Sequence, residues 1–179
     1  GMSCSVEFRS ERAVRILVLP DTASLATRRL ATVPSDDPVA VRYTACEEGY
    51  AFRTARLEVR YDRTSGRFSF YDPARGCLLL EEDERSFVPD TVGGEACYGV
   101  VQRFRSTEEE SLYGLGQYQT GGVDRKRDTV LLLQANKEIV NPYAVSTRGY
   151  GVLWDNPSAS EFRDAGACFE FESEVADAV

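Results

Sequence analysis

The sequence predicts an all-β protein, an antiparallel β-sandwich, on three observations. Apolar and polar residues alternate with period two along most of the chain, clusters of Gly, Asp and Pro interrupt that alternation, and a single short stretch has helical spacing. Strands with one dry and one wet face read this way, and turn signals roughly eight to twelve residues apart suit two packed sheets.

In chain order, residues 14–19 form the first expected strand. Residues 21–31 follow, where Asp21 or Thr22 would cap a helical turn and Leu25, Arg28, Arg29 and Leu30 recur at helical spacing. Pro34-Ser35-Asp36-Asp37-Pro38 breaks that pattern as a loop, since alternation resumes at residues 39–44. Residues 55–61 carry the clearest alternation, predicting Leu57, Val59 and Tyr61 inward with Glu58 and Arg60 in water. Strands are also expected over residues 67–71, 77–80, 96–104, 129–133, 149–154 and 167–171, about nine to twelve in all. Between them lie turn clusters such as Asp62-Arg63-Thr64-Ser65-Gly66, where Asp caps its own turn and Gly takes a left-handed φ. The acidic runs 81–84 and 108–110 read as solvated loop faces, and 124–128, Asp-Arg-Lys-Arg-Asp, as a solvated hairpin tip or a rim loop.

Composition then excludes functions. With 179 residues, 42% of them hydrophobic, the chain is expected to fold as a single domain over 1–179 and to bury about 70% of its unfolded surface. The net charge of −8 repels polyanions, so no nucleic acid is expected as partner, and no apolar run is long enough to span a membrane. Gly1 ahead of Met2 reads as the scar of a cleaved tag. The five cysteines, Cys4, Cys46, Cys77, Cys97 and Cys168, form no CxxC pair, and four lie in apolar or alternating runs that suggest buried free thiols. Unpaired thiols and the lack of a visible secretion signal point to a cytoplasmic location. Histidine is absent, which removes the Ser-His-Asp and Cys-His triads and any His-based metal site. No metal and no cofactor are expected.

Residues 111–164 concentrate glycine, glutamine, asparagine and tyrosine around the only Trp, Trp154. Neutral amides beside aromatic faces suit a sugar, whose hydroxyls donate and accept while its C–H faces stack on rings. The alternative is purely structural: glycines shaping bulges, aromatics filling the core, and Asn141-Pro142 making a turn.

Four motifs in order carry a resemblance: Tyr113-Gly114-Leu115-Gly116-Gln117; Gln134-Ala135-Asn136; Asn141-Pro142-Tyr143 with Ser146; and Arg148-Gly149-Tyr150-Gly151-Val152-Leu153-Trp154-Asp155-Asn156. Upstream, Thr54-Ala55-Arg56-Leu57-Glu58-Val59, Phe68-Ser69-Phe70-Tyr71-Asp72 and Gly76-Cys77-Leu78-Leu79 add to it, so that it covers residues 50–172. Together they resemble the N-terminal β-sandwich domain of glycoside hydrolase family 31, the family of α-glucosidases and α-xylosidases, in its α-xylosidase-like branch. The resemblance implies a galactose mutarotase-like supersandwich, in longer enzymes followed by a (β/α)8 barrel that holds both catalytic carboxylates. Retaining glycosidases need two carboxyl groups about 5–5.5 Å apart. The family's nucleophile stretch, of the type Trp-x-Asp-Met-Asn-Glu, has no counterpart here, because Trp154 is followed by Asp155-Asn156-Pro157. No catalytic residue, and no glycosidase activity of the chain alone, is therefore expected.

The resemblance further implies that the domain packs on a barrel, in the same or another chain, and lends a loop to the rim of its sugar pocket. The carried-over substrate-binding candidates are Gln117, Gln119, Gln134, Asn136, Asn141, Tyr143 and Trp154, as hydrogen-bonding or stacking groups toward an α-linked oligosaccharide containing xylose or glucose. Trp154, at the end of the Gly151-Val152-Leu153 strand, reads as core before it reads as a sugar platform; Asn141 reads also as the start of a turn, and Gln134 and Asn136 equally as satisfying backbone groups at a strand end. Where Gln117 stands the family often has Glu. Two other roles stay open: a free-standing carbohydrate-binding protein presenting exposed tyrosines, and a purely structural domain. A mutarotase is disfavoured because those enzymes rely on histidine.

Overall fold

Pairing of the alternating segments sets the architecture, and a computed structural model describes it for residues 2–20, 38–119, 122–136 and 138–176. The expected helical turn at 21–31 and most of the loop at 34–38 lie outside the described residues. Among the described residues every regular element is a strand, fourteen in number, and the named pairings are antiparallel. An antiparallel β-sandwich is thus the fold. The chain divides into two compact units, the first ending at Glu82 and the second beginning at Asp83.

In the first unit, β1 (Met2–Ser10) and β2 (Ala13–Pro20) form a hairpin that buries Val18 and Leu19. β3 (Arg42–Cys46), β4 (Gly49–Arg53), β5 (Glu58–Asp62), β6 (Phe68–Asp72) and the start of β7 (Cys77–Val92) follow as a meander, each paired with the next. Cross-strand register places Tyr43, Tyr50, Phe52, Tyr61 and Phe68 on one face, where neighbouring rings lie 4.9–6.3 Å apart. With Met2, Cys4 and Val6 of β1 these rings line a groove of about 390 Å³. Thr54, first residue of an upstream motif, is buried; its hydroxyl donates to the Glu11 carbonyl at 2.7 Å and accepts the Leu57 amide at 3.0 Å.

In the second unit one sheet has the order β10-β13-β14-β8-β7, with β8 (Glu95–Arg105), β10 (Thr129–Leu132), β13 (Ser160–Asp164) and β14 (Cys168–Ala176). A second, three-stranded sheet has the order β12-β11-β9, with β9 (Leu112–Gln117), β11 (Ile139–Ser146) and β12 (Gly151–Leu153). Phe104, Phe162, Phe169 and Phe171 form one aromatic face, and all four are buried. Trp154 follows β12 and stacks on Phe171 of β14, centroids 5.3 Å apart, which joins the two layers.

Several expectations change here. β1, β4, β9, β11 and β13 were not expected as strands, and β7 continues well past Leu80. The run 81–84 lies within β7 rather than in a loop, and Glu82 is buried, accepting the Phe68 amide at 2.8 Å. Glu58 does not face water: on the face opposite Leu57 and Val59 it is buried under Arg60 at 2.6 Å and Arg53 at 3.3 Å, so ion pairing covers a carboxylate on the outward half of the alternation. Cys97 is buried and Cys168 half-buried, but Cys4, Cys46 and Cys77 are exposed, Cys46 and Cys77 because they stand at strand ends and Cys4 because the groove it lines is open.

Candidate functional site

The candidate site is built on a glycine-forced crossing of β9 and β11. Gly114, Leu115 and Gly116 take successive left-handed φ values of 101°, 67° and 120°. The β11 backbone comes so close that a Cβ on Gly114 would stand 2.4 Å from the Tyr143 carbonyl oxygen, and one on Gly116 2.0 Å from that of Ile139. Register shifts at this point: Val140 pairs with Gly116 and Ala144 with Gly114, so Asn141, Pro142 and Tyr143 bulge opposite Leu115. The bulge turns Leu115 fully inward and leaves Gln117, Asn141 and Tyr143 exposed. Asn141-Pro142 therefore lies within a strand and starts no turn. Proline is tolerated there because a bulge needs no ladder N–H, and its carbonyl accepts the Trp154 amide at 2.8 Å.

Three of the expected amides, Gln117, Gln134 and Asn141, stand at the end of this sheet. Gln117 pairs in register with Ile139, and Asn141 lies two residues further along β11. Gln134 closes the turn between them, its Nε2 donating to the Glu138 carbonyl at 2.9 Å and its Oε1 accepting the Val140 amide at 3.0 Å. Gln134 thus satisfies strand-end backbone, one of its two sequence readings. Asn136 is exposed on the turn that Gln134 closes, and Gln119 is exposed two residues beyond β9. Tyr118 packs beside them, its hydroxyl donating to the Leu115 carbonyl at 3.0 Å; burial, then the Glu138 carboxylate, raises its pKa.

Tyr143 pairs with Leu153 and lies across Gly151, where a Cβ would meet its hydroxyl oxygen at 2.2 Å. The glycine in Tyr150-Gly151 is there to seat that ring. Trp154 is placed in the core: one face covers Phe171 and its Nε1–H donates to Ser173 Oγ at 2.8 Å. Of the seven candidates, six stay at the surface and Trp154 does not.

A polar network that the sequence did not reveal underlies the site. The run 108–110 was expected in water, yet the Glu110 side chain is fully buried, accepting hydrogen bonds from Ser106 at 2.9 Å and from Ser146 and Tyr150. Burial and the Glu110 carboxylate push the Tyr150 phenol well above its ordinary pKa, so it stays protonated and donating. Lys126 extends the network, donating to Ser106 Oγ at 2.9 Å and to the Gly166 carbonyl at 2.6 Å. The cluster 124–128 is consequently no solvated hairpin tip: Arg125 is buried under Tyr118, and Asp164 accepts the Arg127 amide at 3.1 Å. Glu110 finds its partners Ser146 and Tyr150 36 and 40 residues away, a separation that leaves no local signal.

The surface amides donate and accept hydrogen bonds but have no proton to transfer, so the cluster can hold hydroxyl-rich ligands and orient them. Among the described residues no group of three or more His, Cys, Asp or Glu side chains could hold a metal ion.

Comparison with known proteins agrees with this architecture. Residues 3–162 match the glycosyl hydrolase 31 N-terminal galactose mutarotase-like domain, which extends the resemblance upstream of residue 50. An uncharacterized family 31 glucosidase from Pseudescherichia vulneris is 40% identical over 122 residues, covering 54% of this chain and 22% of its own. An alpha-xylosidase from Saccharolobus solfataricus is 25% identical over 168 residues, covering 88% of this chain and 23% of its own. Among solved structures, the alpha-xylosidase of Xanthomonas citri superposes with a TM-score of 0.84 at 32% identity, over 90% of this chain and 18% of that one. An alpha-xylosidase from a soil metagenome, complexed with xylose, shares the fold with a TM-score of 0.89 at 24% identity, over 100% of this chain and 29% of that one. The chain therefore spans about a fifth of the length of the curated relatives it matches, 22% and 23%. With a family model matched across most of its length, the chain belongs to the glycosyl hydrolase 31 N-terminal galactose mutarotase-like domains.

Proposed function

We propose that this chain is the non-catalytic N-terminal domain of an α-xylosidase-like glycoside hydrolase, which packs on a (β/α)8 catalytic barrel and supplies uncharged hydrogen-bonding groups to the rim of its sugar site. The observation that carries this reading is the exposure of Gln117, Asn141 and Tyr143 along the β9–β11 pair, with Asn136 exposed on the adjoining turn, on a domain that makes up only 18% and 29% of the α-xylosidase chains it superposes on. Side chains of this kind bind saccharide hydroxyls without taking part in bond cleavage, which in a retaining enzyme falls to two carboxyl groups. The ligand on this reading is an α-linked xylose- or glucose-containing saccharide. In a fusion of this chain to a family 31 catalytic portion, Gln117→Ala and Asn141→Ala should raise KM for an aryl α-xyloside with little change in kcat. An unchanged KM in both variants contradicts the rim role.

A free-standing carbohydrate-binding role is the second reading, favoured by the half-exposed rings of Tyr113 and Tyr143. Calorimetry of the chain alone against xyloglucan oligosaccharides and maltose separates the two: the binding module gives heat without a barrel, the rim domain does not.

A further inference from the structure

At the end of β9 the side chains turn by turns outward and inward. Gln117 and Gln119 are exposed, whereas Tyr118 between them is half-buried, as alternation along an extended chain requires. Among the described residues neither glutamine side chain makes a hydrogen bond, so the backbone alone decides where the two amides stand. That backbone is tied down through Tyr118. Its hydroxyl donates to the Leu115 carbonyl at 3.0 Å and lies 3.4 Å from the Leu131 carbonyl of β10. Its ring covers the Arg125 guanidinium, whose central carbon stands 5.2 Å from the ring centroid.

Arg125 is itself held from below. It is 5% exposed, and its main-chain amide donates to the Leu112 carbonyl at the start of β9 at 2.7 Å. Its guanidinium has one carboxylate partner, Asp128 Oδ2 at 3.1 Å, and its Nε is buried with no hydrogen-bond partner among the described residues. A buried guanidinium N–H without an acceptor is unfavourable, and an aromatic face compensates by attracting the desolvated cation. Cation and ring therefore need each other: removal of the ring strips the guanidinium of its cover, and removal of the guanidinium takes the floor from under the ring.

We infer that Arg125 and Tyr118 are a positioning pair for the sugar site: the buried cation seats the ring, and the seated ring fixes the backbone that carries Gln117 and Gln119. The inference rests on the proposed function and adds to it two residues that act without touching the saccharide. The cluster 124–128 then serves the rim from beneath, through Arg125.

The test uses the fusion of this full chain to a family 31 catalytic portion and reads KM and kcat for an aryl α-xyloside. Tyr118→Leu and Arg125→Met should each raise KM about fivefold with kcat within about twofold of the parent. Their double variant should raise it no further, because either change removes the same contact. Tyr118→Phe and Arg125→Lys, which keep the ring and the charge, should stay closer to the parent than Tyr118→Leu and Arg125→Met. Tyr118→Leu acts at a half-buried position, so the pair is still read if Arg125→Met does not fold. The decisive measurement is made with Gln117→Ala and Gln119→Ala already present, where neither Tyr118→Leu nor Arg125→Met should change KM; a purely structural loss would persist there. An effect undiminished without the two glutamines, or a KM unchanged by Tyr118→Leu where Gln117→Ala raises it, overturns the positioning role and leaves the proposed function standing. A KM unchanged by Gln117→Ala and Asn141→Ala overturns both together.

Discussion

Gly116 and Gly151 are glycines for different reasons, and substitution separates them. At Gly116 a Cβ meets backbone and φ is left-handed, so Gly116→Ala should destabilise the chain by at least about 2 kcal/mol, measured by chemical denaturation. At Gly151 the obstacle is the hydroxyl end of Tyr143, which can swing aside. Gly151→Ala should then leave stability within about 1 kcal/mol and shift the Tyr143 ring resonances in NMR spectra. Tyr150 supplies a pH signature. Its folded pKa lies above the unfolded value of about 10, so its contribution is full below that pH and declines above it as the unfolded phenol ionises first. The stability gap between the native chain and Tyr150→Phe should narrow between pH 9 and pH 11; a constant gap would contradict the buried, protonated phenol. None of these roles is legible from single residues, because each depends on what a distant strand places opposite.

Strands were legible where alternation is clean, as in β5, β6 and β8, and hidden where another constraint overrides the period. β9 escaped detection because its glycines serve the crossing, and β11 because Pro142 reads as a breaker unless a bulge is foreseen. β7 was cut short because its acidic residues look solvated, although Glu82 bonds a backbone amide of β6. The glutamine-closed turn between β10 and β11 shows the same limit: the sequence offered Gln134 as either sugar-facing or backbone-satisfying, and register decides for the backbone. Gln134→Ala should cost about 1 kcal/mol and speed hydrogen exchange at the Val140 amide while leaving the amides of β14 protected.

For the molecule as a whole, six of the seven residues singled out in the amide-rich stretch lie at the surface, and the family motifs named the fold; the buried network around Glu110 was beyond reach, since it joins segments that meet only after folding. Glu110→Ala leaves three hydroxyl groups without their shared acceptor and should destabilise by about 3 kcal/mol in denaturant unfolding. On the proposed function, the chain alone should release no nitrophenol from aryl α-xylosides; release by purified material would refute it. The crossing of β9 over β11 also bears on what the Tyr-Gly-Leu-Gly signature signifies. Its glycines answer to the crowding of one main chain against another, so a descendant that had abandoned carbohydrate altogether would still be obliged to retain them. The signature certifies ancestry and shape, and evidence of ligand must be sought in the neighbouring amides, which are free to diverge.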